Sequence, residues 1–115
     1  MESDYQDIKI LDDLDKGIVA HTGQLLNAID NEVRLEIVLL HELKEHKGKI
    51  AQSISMKSKF MQLYLVSDST ETQGWVDDWF RADAEVRKQE VMLRQLEGRR
   101  DSIKKKLSVY KERGI

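Results

Sequence analysis

The sequence predicts an all-α protein: a long antiparallel, coiled-coil-like helical hairpin with a short N-terminal helix, which self-associates. Three observations carry this. The 115 residues contain no Pro and six Gly, so turn residues are sparse. About 35% of residues are charged and 40% hydrophobic, a mixture suited to long amphipathic helices. Finally, apolar residues recur at alternating steps of four and three over two long stretches.

The regular spacing is clearest toward the C-terminus. Trp75, Trp79, Ala82, Val86, Gln89, Leu93, Leu96, Arg100, Ile103, Leu107 and Tyr110 form one seam. Gln89 and Arg100 are its polar members, and polar seam positions can fix register or oligomer number. This predicts a second long helix over 75–113. A first long helix is expected over 22–66, with Leu26, Ile29, Val33, Leu40, Leu43, Ile50, Ile54, Met61 and Tyr64 along its seam and Thr22 as its N-cap. Extra apolar residues at Leu35, Ile37, Val38 and Leu39 widen that stripe, so a second surface should be covered there. The polar stretch 67–74 is the turn, with Thr70-x-x-Gln73 at capping-box spacing. Residues 1–21 read as a short helix or arm carrying Ile8, Leu11, Leu14 and Ile18. All of it belongs to a single helical domain. One seam per helix buries little surface for so small a chain, hence the expected homo-oligomer.

Several function classes find no support. There is no Cys, so neither a disulfide framework nor a thiolate metal site is available. The acidic N-terminal stretch lacks an apolar core, and the longest fully apolar run is Ile37–Leu40. A cytoplasmic protein with no membrane partner is expected. His41 and His46 in "HELKEH" are five apart and diverge around a helix, so no metal is expected. Neither a Gly-rich phosphate loop nor a catalytic triad is legible, so no enzyme activity and no cofactor are expected. Phe60, Tyr64, Trp75, Trp79 and Phe80 would pack the hairpin tip, or else stack on bases.

Charge is the functional lead. The formal net charge is −2, yet Arg99–Arg113 holds seven bases and two acids. Residues 1–15 hold six acids and one base. Lys44–Lys59 holds five lysines and one acid, and Asp68–Glu90 seven acids and three bases. Folding about residue 70 would set Lys44–Lys59 beside Asp83, Glu85, Glu90 and Glu97. It would set the basic tail beside Asp30, Glu32, Glu36 and Glu42. On one reading the tail only neutralises the first helix. On the other its outward cations bind phosphates: Arg99, Lys104, Lys105, Lys106, Lys111 and Arg113, with Lys57 and Lys59 second.

Three stretches resemble the UvsY-type phage recombination mediators. They are "LDKGIVAHTGQLLNAIDNEV", "KSKFMQLYL", and Leu96-x-x-Arg99-x-x-x-Ile103-Lys104 shortly before a Gly. The chain is shorter and more acidic than that family, with one Tyr where the family often has two. The resemblance implies an oligomeric helical protein that binds single-stranded DNA. It would help load a recombinase onto strands covered by single-strand-binding protein, in a phage-infected or bacterial cytoplasm. The other reading is a protein-only adaptor or inhibitor docking on a partner complex.

Overall fold

The structure, a computed structural model, describes residues 2–52 and 54–112. It is all-α. Helix α1 spans Glu2–Glu45, a 3-10 turn Lys47–Lys49, helix α2 Met56–Val66 and helix α3 Thr70–Glu112. No strand occurs among the described residues. Within each of the two compact units described below, a stretch of α1 packs on a stretch of α3.

The helix boundaries correct the sequence reading. The short N-terminal helix and the start of the expected first long helix are one continuous α1, running through Gly17, Thr22 and Gly23. Without Pro nothing blocks the backbone, and two interior glycines cost only about 1 kcal/mol each. The expected helix over 22–66 is instead broken after Glu45. His46 N–H donates to Leu43 O at 3.2 Å and Lys49 N–H to His46 O at 2.9 Å, tightening the chain into the 3-10 turn around Gly48. Ser55 restarts the helix as N-cap of α2, accepting from Ser58 N–H at 3.3 Å. The second helix begins at Thr70 rather than Trp75. Its cap is Ser69, whose Oγ accepts from Thr72 N–H at 3.2 Å. Gln73 does not close the expected capping box. Its Nε2 donates to the Tyr64 and Ser67 carbonyls at 3.3 and 3.0 Å, tying down the end of α2.

The chain divides into two compact units. One comprises residues 27–86. Its core is Leu39, Ile50, Phe60, Leu63, Val76 and Trp79, with Leu35, Leu43, Met56, Tyr64, Val66, Trp75 and Phe80 packed around it. Phe60 meets Trp79 edge-on with ring centroids 4.8 Å apart, and Trp79 meets Phe80 likewise at 5.2 Å. The aromatic residues therefore pack the α2–α3 hairpin. Phe60 and Trp79 are buried, out of reach of a base. Lys57 pairs with the buried Asp83 carboxylate at 3.1 Å, a pairing symmetric about residue 70.

The other unit comprises, of the described residues, 2–26 and 87–112. Here the first half of α1 lies antiparallel to the second half of α3. His21 contacts Gln89, Gly17 faces Leu96, and Asp7 pairs with Lys106. These pairs are symmetric about residues 55–57, not 70, so the tail meets the acidic N-terminal segment. The expected partners Asp30, Glu32, Glu36 and Glu42 lie in the other unit. Leu14, Gln89 and Leu93 are buried here, with Leu11, Ile18, Leu25, Leu96, Ile103 and Leu107 half-buried beside them.

From Val86 to Leu107 the buried face of α3 is the seam that the sequence predicts. Upstream, Val76 and Asp83 are buried, whereas Trp75 and Ala82 are half-buried. The side chain of Tyr110 lies outside the described residues. Within the chain Gln89 is buried against His21 of α1, and Arg100 is half-buried beside Asp101. Gln89 Oε1 accepts from His21 Nδ1 at 2.7 Å with the ring proton placed on that nitrogen.

Candidate nucleic-acid interface

α3 turns Gln89, Leu93, Leu96, Arg100, Ile103 and Leu107 inward, which fixes what its opposite face carries. Arg94, Gly98, Ser102 and Lys105 follow at steps of four, four and three on that outer face, all exposed. At 1.5 Å per residue, Arg94 to Lys105 spans about 16 Å. A shallow cleft of about 440 Å³ is lined by Arg94, Gln95, Gly98, Arg99, Ser102 and Ile103. It combines two guanidinium groups, a hydroxyl and a glycine that leaves the backbone bare. An added Cβ on Gly98 meets nothing within 4 Å.

The named tail residues have different fates. Arg99, Lys104 and Lys105 are exposed and make no ion pair among the described residues, and the same holds for Arg94. Lys106 is held by Asp7 at 3.2 Å, with Asp7 largely buried. It is therefore a structural cation as much as a surface one. Arg100 is half-buried on the seam and reaches Asp101 at 3.2 Å. The side chain of Lys111, and Arg113 altogether, lie outside the described residues. Lys57 is committed to Asp83. Lys59 lines a separate cleft of about 700 Å³ with Lys44, Lys47, Leu40, Leu43 and Ile50. Both belong to the other unit, so the secondary contacts are not brought onto this face.

Sequence reasoning overlooked Arg94. Its signal is its place four residues before Gly98 and opposite the seam, outside the dense basic run that begins at Arg99. Among the described residues no group of three or more His, Cys, Asp or Glu could hold a metal. No described helix is long and apolar enough to cross a membrane. The geometry offers delocalised and point cations to anionic oxygen.

Gly98 also gives a stability test. It sits in the interior of α3 with free space around its Cα. Gly98→Ala should stabilise the chain by about 0.8–1 kcal/mol, read as a higher thermal midpoint. No rise would mean that α3 is bent or frayed there.

No family model, curated protein or solved structure matches this chain.

Proposed function

We propose that the outer face of α3 binds the phosphodiester backbone of single-stranded DNA. In this reading the chain is a non-enzymatic recombination mediator of the UvsY type, assisting the loading of a recombinase. The observation that carries the proposal is a set of four exposed cations on α3, Arg94 and Lys105 on the outer face with Arg99 and Lys104 on its two flanks, which make no ion pair among the described residues in a chain of net charge −2. Had the tail served only to neutralise α1, these groups would be paired as Lys106 is. Two of the four lie within the stretch that resembles the mediator family, Arg99 and Lys104.

The reading sets the form of the binding. Contacts to phosphate alone carry no sequence information, so little base preference is expected. Affinity for an oligothymidine should fall by about 0.7 log units per log unit of salt for each contact. Arg99→Gln, Lys104→Gln and Lys105→Gln combined should weaken binding and flatten that slope by about 2. Helicity should be unchanged, because all three side chains are exposed. A fluorescence-anisotropy titration at about 50 mM salt measures this. Absence of binding, or a triple variant that binds like wild type, would remove the mediator reading. It would promote the adaptor, which the exposed apolar residues of α1 favour.

A further inference from the structure

In the unit of residues 27–86, α1 has two apolar faces and the fold uses one. Ala28, Glu32, Leu35 and Leu39 turn inward, with Ala28 and Leu39 buried. On a second face, Ile29, Val33, Ile37 and Leu40 follow at steps of four, four and three and are 39, 45, 63 and 42% exposed. Single exposed aliphatics are ordinary on a protein surface; four in helical register make a stripe, and a stripe marks an interaction surface.

The flank of the stripe indicates what covers it. Asp30 and Arg34 lie one turn apart beside Val33, joined in-chain at 3.5 Å with their side chains 70–72% exposed. Such an exposed pair contributes little by itself and is free to exchange partners. If two copies of α1 pack antiparallel about a two-fold axis near residue 32, Asp30 of each falls beside Arg34 of the other. Ile29 of each then faces the Val33–Ile37 stretch of the other. If they pack parallel, the two-fold carries this flank to opposite sides of the seam, and the Asp30 and Arg34 of one copy reach neither residue of the other. The patch is thus self-complementary in one orientation only, as a two-fold interface requires.

We infer that this outer face of α1 is the dimerisation surface of the protein, and that its occupant is the same face of a second copy, packed antiparallel. The inference uses other residues and another unit than the nucleic-acid reading, so each stands or fails without the other.

Sedimentation equilibrium of the full chain, with circular dichroism as a check on folding, is the test. Wild type should dimerise reversibly at tens of micromolar. Val33→Asp with Ile37→Asp should weaken association about tenfold or more while leaving helicity unchanged, since both residues are exposed and outside the core. Asp30→Arg alone and Arg34→Asp alone should each weaken the dimer, the first setting Arg against Arg and the second Asp against Asp. The two together should restore it. A strictly monomeric wild type, an assembly indifferent to the Val33/Ile37 change, or a double charge reversal that fails to restore association would each overturn the proposal.

Discussion

Phe60→Ala should lower folding stability by about 3–5 kcal/mol, the largest single effect expected in this molecule. Phe60 is fully buried and touches Trp79 edge-on at 4.8 Å, so alanine removes both its buried area and an aromatic pair. The surrounding residues Leu39, Leu63 and Val76 are themselves buried and come from three helices, so the site has little freedom to collapse. Against a total stability of about 5–15 kcal/mol for a domain of ordinary size, such a loss approaches unfolding. Both tryptophans, Trp75 and Trp79, lie in this same unit. Urea titration followed by tryptophan fluorescence therefore reports on it, while far-ultraviolet circular dichroism reports on all helices. Phe60→Ala should move the fluorescence midpoint most. A shift worth less than about 1 kcal/mol would show that Phe60 is not enclosed as described.

Gln89→Leu comes second, and the structure reverses its sign. As an interruption in an apolar seam, Gln89 looks like a residue whose replacement by leucine should stabilise. In the folded chain its buried amide oxygen accepts a hydrogen bond from His21 Nδ1–H at 2.7 Å. Leucine leaves the half-buried imidazole without that partner, at a cost of about 1–3 kcal/mol. Replacing both, Gln89→Leu with His21→Leu, should recover most of the loss, because neither polar group is then stranded. A double-mutant cycle from urea midpoints measures the coupling. If Gln89→Leu alone stabilises, the pairing of residue 21 with residue 89 is wrong, and the register of α1 on α3 with it.

The all-helical hairpin was legible because heptad spacing is a local property. The seam from Val86 to Leu107 could be read residue by residue, since there α3 faces a single helix. Upstream it touches α1 and α2 together, and the buried set shifts to Val76 and Asp83. Pattern alone could not choose between two contacts. On α1 the failure was one of choice: Leu26, Ile29, Val33 and Leu40 make as good a seam as the face actually buried through Ala28, Leu35 and Leu39. The break after Glu45 was hidden because Ile50 and Ile54 extend the apolar rhythm through a turn. That misplaced the centre of the α1–α3 pairing, and with it the partner of the tail, which is Asp7 rather than Asp30 or Glu36. The basic face itself was visible as a cluster of charge. Which cations remain free depended on that pairing.

The pairing of residues 2–26 with 87–112 bears on how the chain is made. Synthesis proceeds from the N-terminus at about 5–20 residues per second. The first half of α1 thus leaves the ribosome before residues 27–86, and the strip of α3 that completes it leaves after them. Residues 27–86 hold their own core and need nothing from beyond Val86 to close it. For the seconds in between, Leu11, Leu14 and Ile18 travel as an unpartnered amphipathic segment, without the packing that supplies most of a helix's stability. Their zipper closes across a long sequence separation, which makes it a late, slow event of folding rather than its nucleus.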